Sequence, residues 1–146
     1  MDKTLMDDNA HQAYVYAITE QTDQHIAGLD ELSEKTQLTF NERSAAERSL
    51  QVLAEIAIGC SKHWLKANNK PTPSEARACI ERVYESLPAA TLPNISAMRG
   101  AIATRNVIVH DYLNLDWQRI SPIVQQRKYV QIQDYIRQVS AYLLLV

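Results

Sequence analysis

The run Arg105-Asn106-Val107-Ile108-Val109-His110-Asp111-Tyr112 sets an imidazole five residues after a guanidinium and a phenol two residues beyond that. A guanidinium stays charged at any accessible pH. It can give two parallel hydrogen bonds to phosphate oxygens and follow the charge that builds as phosphorus becomes five-coordinate. An imidazole, with an unperturbed pKa of about 6.5, both takes and gives a proton near neutrality. Where the phosphate belongs to RNA, the substrate brings its own nucleophile, because the ribose 2′-hydroxyl stands beside the phosphorus. Arg105 and His110 therefore suffice for RNA cleavage without a metal, and no paired-carboxylate or multi-histidine pattern points to one. Cys60 and His63 form only half of a zinc pattern, on a helix.

Each of these residues also has a structural role open to it. Arg105 can form an internal salt bridge with Glu55 or Glu47, His110 can be a structural histidine, and Tyr112 can bond to backbone beside a turn at Asp111. Arg43, Arg48 and Arg99 could extend a phosphate track. Glutamates interleave the first two, however, so a solvated helix face is the expectation. At about 100° per residue, Arg105 and Tyr112 fall on nearly one face of a continued helix, whereas His110 lies about 140° from Arg105. Convergence requires the helix to loosen near Val109, or two copies to face each other across a symmetric dimer.

The elements that must position these groups read as helices. Glycines number three and prolines five, with every proline at or after Pro71, which leaves long stretches free to coil. A first helix is expected from about Asp7 to Thr36, with Tyr14, Ala17, Ile18, Leu29 and Leu32 on one stripe. Thr39 and Glu42 have capping-box spacing, and Ala46, Leu50, Leu53, Ala57, Cys60 and Trp64 then step by four and three along a second helix. Thr72-Pro73-Ser74-Glu75 predicts a capped third helix running to about Leu87. Pro88 and Pro93 bracket a loop. Beyond it Ile95, Met98, Ile102 and Val109 form a stripe whose remaining position is Arg105. Asp116 predicts the cap of a helix bent around Pro122, and Ile132, Tyr135, Ile136, Val139 and Leu143 mark a last helix. The whole predicts one all-α domain over residues 1–146, an antiparallel four- to five-helix bundle.

Composition agrees with a folded domain, at 46% apolar and 22% charged residues. A formal charge of -2 confines any nucleic-acid site to a local patch. No apolar run reaches the roughly 18 residues that span a bilayer, and the opening Met1-Asp2-Lys3-Thr4-Leu5 lacks the apolar centre of a leader, so a cytoplasmic protein without a membrane partner is expected. Cys60 and Cys79 then read as buried free thiols. The tail Tyr142-Leu143-Leu144-Leu145-Val146 is expected to cover the core or a partner.

Arg-x-x-x-x-His-x-Tyr, preceded by an amphipathic helix and followed by a loop and a terminal helix, resembles the HepT family of HEPN-domain toxins, with the order of pieces agreeing from about Asn41 to Tyr142. The family motif maps onto Arg105, His110 and Tyr112, with Asn106 as a supporting polar residue. Gln51 and Glu55 resemble a polar pair of the family, and Gly59 stands where an aspartate is frequent. The resemblance implies a homodimer acting as a metal-independent endoribonuclease, the toxin of a type VII toxin–antitoxin pair. It needs no cofactor, and paired motifs line a cleft at the subunit interface. It also implies an MntA-like nucleotidyltransferase antitoxin, which transfers AMP from ATP to Tyr112 and can build a higher hetero-oligomer with the toxin. Tyr129 and Tyr135 are the next phenols in the chain. The alternative is a non-catalytic helical subunit that binds substrate or nucleotide for a nucleotidyltransferase, and a plain oligomeric interaction protein is the third class.

Overall fold

The computed structural model describes residues 3–146, with side chains described from residue 9 onward; Met1 and Asp2, part of the stretch read for a leader, lie outside it. Among the described residues the chain forms six α-helices and no strand. These are α1 (Lys3–Ser33), α2 (Phe40–Ala67), α3 (Ala76–Ser86), α4 (Ile95–His110), α5 (Trp117–Gln125) and α6 (Val130–Leu143), with 3-10 turns at Ala89–Thr91 and Tyr112–Asn114. The all-α class holds, and six helices replace the expected four to five. None of the described helices is long and apolar enough to cross a membrane.

Helix α2 starts where its capping box predicts. Thr39 Oγ1 accepts from the Glu42 amide at 3.2 Å, and Glu42 Oε1 accepts from the Thr39 amide at 2.9 Å, an arrangement that contributes about 1 kcal/mol. All six residues of its predicted stripe are buried, and so are Ala54, Ile56, Ile58, Ser61 and Leu65. A helix this buried must be covered from several sides. Helices α1, α3, α4 and α6 all pack on α2, and the buried side chains join one cluster. Two phenols sit within that cluster: Tyr135 shares a 2.7 Å hydrogen bond with Ser61, and Tyr129 reaches Asp30. Cys60 and Cys79 are buried free thiols, as read from the sequence.

Several local expectations change in the fold. The third helix starts at Ala76 with Glu75 as a cap residue whose side chain makes no capping bond. The Thr72 hydroxyl donates to the Lys70 carbonyl and the Cys79 thiol to the Pro73 carbonyl, so the Thr72-Pro73 segment is used as a turn. Asn94 caps α4 by accepting from the Ser96 amide at 2.9 Å, a role the sequence reading passed over. Along α4, Met98 and Ile102 are buried, but Val109 is exposed, as is Ala17 on α1. The tail covers the core through Leu143 and the half-buried Tyr142, while Leu144, Leu145 and Val146 are exposed.

Helices α5 and α6 are separated by a sharp turn after Gln125. Arg127 adopts a left-handed backbone (φ 52°). The Lys128 amide bonds to the Ile123 carbonyl at 3.0 Å and the Arg127 amide to the Val124 carbonyl at 3.1 Å, the paired closure of a Schellman motif. A non-glycine residue there is strained, and Asp30 on α1 holds it. The Asp30 carboxylate accepts from Arg127 Nε at 3.0 Å and from the Tyr129 hydroxyl. The Arg127 bond, helped by that of Tyr129, keeps the Asp30 carboxyl below its ordinary range. A depressed carboxyl stabilises the fold above the ordinary aspartate value of about 3.9, and that contribution is lost as pH falls through the lower folded value. Asp30→Asn should therefore lower the melting temperature at neutral pH and flatten the acid limb below about pH 4. Thermal unfolding followed by circular dichroism checks this, and parallel curves for the two proteins down to about pH 3 would show that Asp30 is not the linked group.

Candidate functional site

The motif straddles the end of a rigid helix. Arg105 lies on the side of α4 turned to α2, where the buried Met98 and Ile102 set the direction, and its side chain is 21% exposed. A guanidinium so placed needs acceptors. Nε donates to Glu55 Oε1 at 2.6 Å and Nη1 to Asn106 Oδ1 at 2.8 Å. Of the two internal partners read from the sequence, Glu55 makes the bond. Glu47 is half-buried elsewhere on α2, where desolvation raises its carboxyl pKa. The pair between Arg105 and Glu55 coexists with an open surface, since Asn106 and His110 are both exposed.

The helix does not loosen near Val109. It stays regular to His110 and ends there, with the Asp111 amide bonded to the Val107 carbonyl at 3.0 Å. Asp111 then leaves helical geometry (φ -138°, ψ 35°) and accepts from the Asn114 side chain at 2.7 Å. Tyr112 accordingly sits in the following 3-10 turn and does not continue the Arg105 face. It stands 67% exposed, clear of the backbone-bonded role the sequence left open. Tyr129 and Tyr135, by contrast, are fully buried. Within one chain, Arg105 and Asn106 meet directly, and His110 and Tyr112 project from the same helix end without touching them.

The neighbouring cations are engaged structurally. Arg99 pairs with Glu81 on α3 at 3.3 Å, and the Arg43 guanidinium lies 5.6 Å from the Trp117 ring centroid. Neither provides a ready phosphate track. The half zinc pattern separates as well: Cys60 donates to the Ala57 carbonyl, with burial pushing its thiol up to about 12, and His63 packs on Tyr14 with ring centroids 3.8 Å apart. Among the described residues, no three His, Cys, Asp or Glu side chains gather into a metal-sized group. Gly59 lies against α1, where a Cβ would meet the Tyr14 hydroxyl at 3.4 Å.

Helix α4 forms one wall of two cavities. The first, of about 480 Å³, lies between Ser96, Gly100 and Thr104 and the facing Ile123, Tyr129 and Ile132, and the second, of about 350 Å³, lies between Thr104 and Val107 and the facing Leu115 and Ile120. Thr104 lines both, so the two lie along one side of the helix. At its motif end Val107, Val109, Tyr112 and Leu113 are exposed, four of the nine large exposed apolar or aromatic side chains among the described residues.

Arg105, Asn106 and His110 thus lie on the last two turns of one helix in an all-helical domain. The chain belongs to the HepT-like ribonuclease family of HEPN toxins, whose model, described as ribonuclease HepT-like, matches residues 18–139. The match spans every helix named above at least in part, and the whole motif. Comparison with curated proteins and with solved structures gave no match.

Proposed function

We propose that this chain is the ribonuclease toxin of a type VII toxin–antitoxin pair, cutting RNA without a metal through Arg105 and His110. The observation that carries the reading is the state of Arg105: anchored on one side by Glu55 and Asn106, it keeps free donors on the same helix that ends in the exposed imidazole of His110. In the proposed reaction the ribose 2′-oxygen attacks the adjacent phosphorus and the 5′-oxygen leaves, giving a 2′,3′-cyclic phosphate and a 5′-hydroxyl. Arg105 stabilises the charge on the phosphoryl oxygens. His110 takes the proton from the 2′-oxygen, and the partner copy's His110 gives one to the 5′-oxygen. Two imidazoles, one in each protonation state, satisfy the proton balance in a single step.

The dimer in this proposal forms over the open face of α4. Support comes from the group of exposed apolar and aromatic side chains at its end, which a second copy would cover. Gly100 fits the same role. A glycine inside a helix costs about 1 kcal/mol relative to alanine, and nothing in the chain lies within 4 Å of a Cβ built there, so the fold itself does not call for it. Close approach of a second helix does.

Tyr112 is the proposed acceptor of AMP from an MntA-like nucleotidyltransferase. An exposed phenol at the rim of the cleft is open to that enzyme, and each AMP adds a phosphate charge and a base-sized obstruction where the RNA phosphate must enter.

Arg105→Ala and His110→Ala should each lower RNA cleavage about 100- to 1,000-fold in the presence of EDTA, with helical content unchanged. A gel assay on purified protein checks this, and full activity in either variant removes the assignment. Gly100→Leu should leave the helices intact and shift the protein towards monomer in light scattering, with activity falling in parallel; an unchanged dimer would place the interface elsewhere. Tyr112→Phe should keep cleavage yet escape silencing by the antitoxin with ATP and magnesium. Intact-mass spectrometry should then find whole units of AMP on the wild type only, and equal modification of Tyr112→Phe would move the acceptor to another residue.

A further inference from the structure

We infer that Glu55 is a positioning residue for Arg105, fixing which edge of the guanidinium meets the substrate phosphate; this rests on the ribonuclease reading above. The bond from Arg105 Nε to Glu55 Oε1 is 2.6 Å, yet the Glu55 side chain is 43% exposed. A pair open to solvent on one side adds little to folding stability, so the short contact needs another account. Orientation supplies it. A free arginine side chain spreads over many rotamers, whereas reacting groups must be held within fractions of an ångström.

Glu55 stands on the most deeply buried helix of the domain, between Ala54 and Ile56, both buried. Its backbone is therefore as fixed as any in the chain. Nε is consumed by Glu55 and one Nη1 hydrogen by Asn106, which leaves the second Nη1 hydrogen and both Nη2 hydrogens. Those donors lie along the end of the guanidinium plane, so the phosphate is gripped end-on through Nη1 and Nη2, with the side edge blocked. The glutamate charge also offsets that of Arg105 before substrate arrives. The site is thereby tuned towards orientation and away from raw attraction for polyanions.

The two functions of Glu55 separate chemically: glutamine keeps an oxygen acceptor for Nε and drops the charge, while alanine removes both. Glu55→Ala should lower kcat about 10- to 100-fold on a short oligoribonucleotide while changing KM little, as expected for misplacement by about an ångström. Glu55→Gln should recover most of kcat and lower KM, because a repulsive charge has gone. Nitrogen-15 NMR of the Arg105 Nε–H gives a readout independent of cleavage: a slowly exchanging resonance in wild type and Glu55→Gln, and a fast-exchanging one in Glu55→Ala. An unchanged or raised kcat in Glu55→Ala would make the pair dispensable or an inhibitory latch, and would overturn the inference. So would Glu55→Gln as slow as Glu55→Ala, or an Nε signal indifferent to both substitutions. If wild type cuts no RNA at all, the ribonuclease reading falls by itself, and the Nε signal decides whether Glu55 holds Arg105.

Discussion

Burial of α2 is the constraint on which the rest of the domain depends. Its buried residues are too widely spread around the axis for one neighbour to cover, so α1, α3, α4 and α6 are arranged by the need to close around it. Everything at the site inherits that rigidity. Glu55 is carried on the partly solvated flank of the hub, and α4 is pressed to the same flank by Met98 and Ile102. Arg105 is the next position of that apolar stripe, which is why its stem is sheltered while its head meets a carboxylate. A surface helix with the same motif would leave the guanidinium in water, free to pair with anything or nothing.

What the sequence disclosed follows how local each signal is. The capping box of Thr39 and Glu42 and the stripe from Ala46 to Trp64 depend on spacing within one helix, and both appear as read. The Asp116 cap likewise needs only the amide of Gln118, two residues away. Thr72 misled because the helix begins only at Ala76, three residues beyond where a Thr72 cap would have started it, and spacing alone does not fix where the first turn closes. The turn at Gln126–Tyr129 was hidden for a different reason. Arginine is a poor residue for a left-handed backbone, and the contact that holds it there comes from Asp30, nearly a hundred positions earlier.

The candidate site was legible in composition and less so in geometry. Residue types and intervals singled out Arg105, Asn106, His110 and Tyr112, and the polar pair on α2 included the partner that Arg105 takes. A turn at Asp111 was one of the readings the sequence left open, because periodicity continues through Ile108 and Val109 with no glycine or proline to stop the helix. The Asp111 backbone and its bond from Asn114 show that the chain turns there, and that turn separates the phenol from the arginine face. The choice between Glu55 and Glu47 also required coordinates, since either is a carboxylate on the facing helix. A single bond then united the structural and functional readings of Arg105, which spacing had set against each other.

The exposed apolar group at the end of α4, from Val107 to Leu113, bears on dosage. A cleft built from two copies does not exist in a lone chain, and at high dilution the amount of paired protein rises as the square of the total. Halving the supply of chains would then leave a quarter of the working sites. Occasional leaky synthesis would be nearly harmless, whereas a burst would cross quickly into full potency. On the two-copy cleft proposed above, the same four side chains would give the protein a concentration threshold, set by how tightly they fit a second copy of themselves.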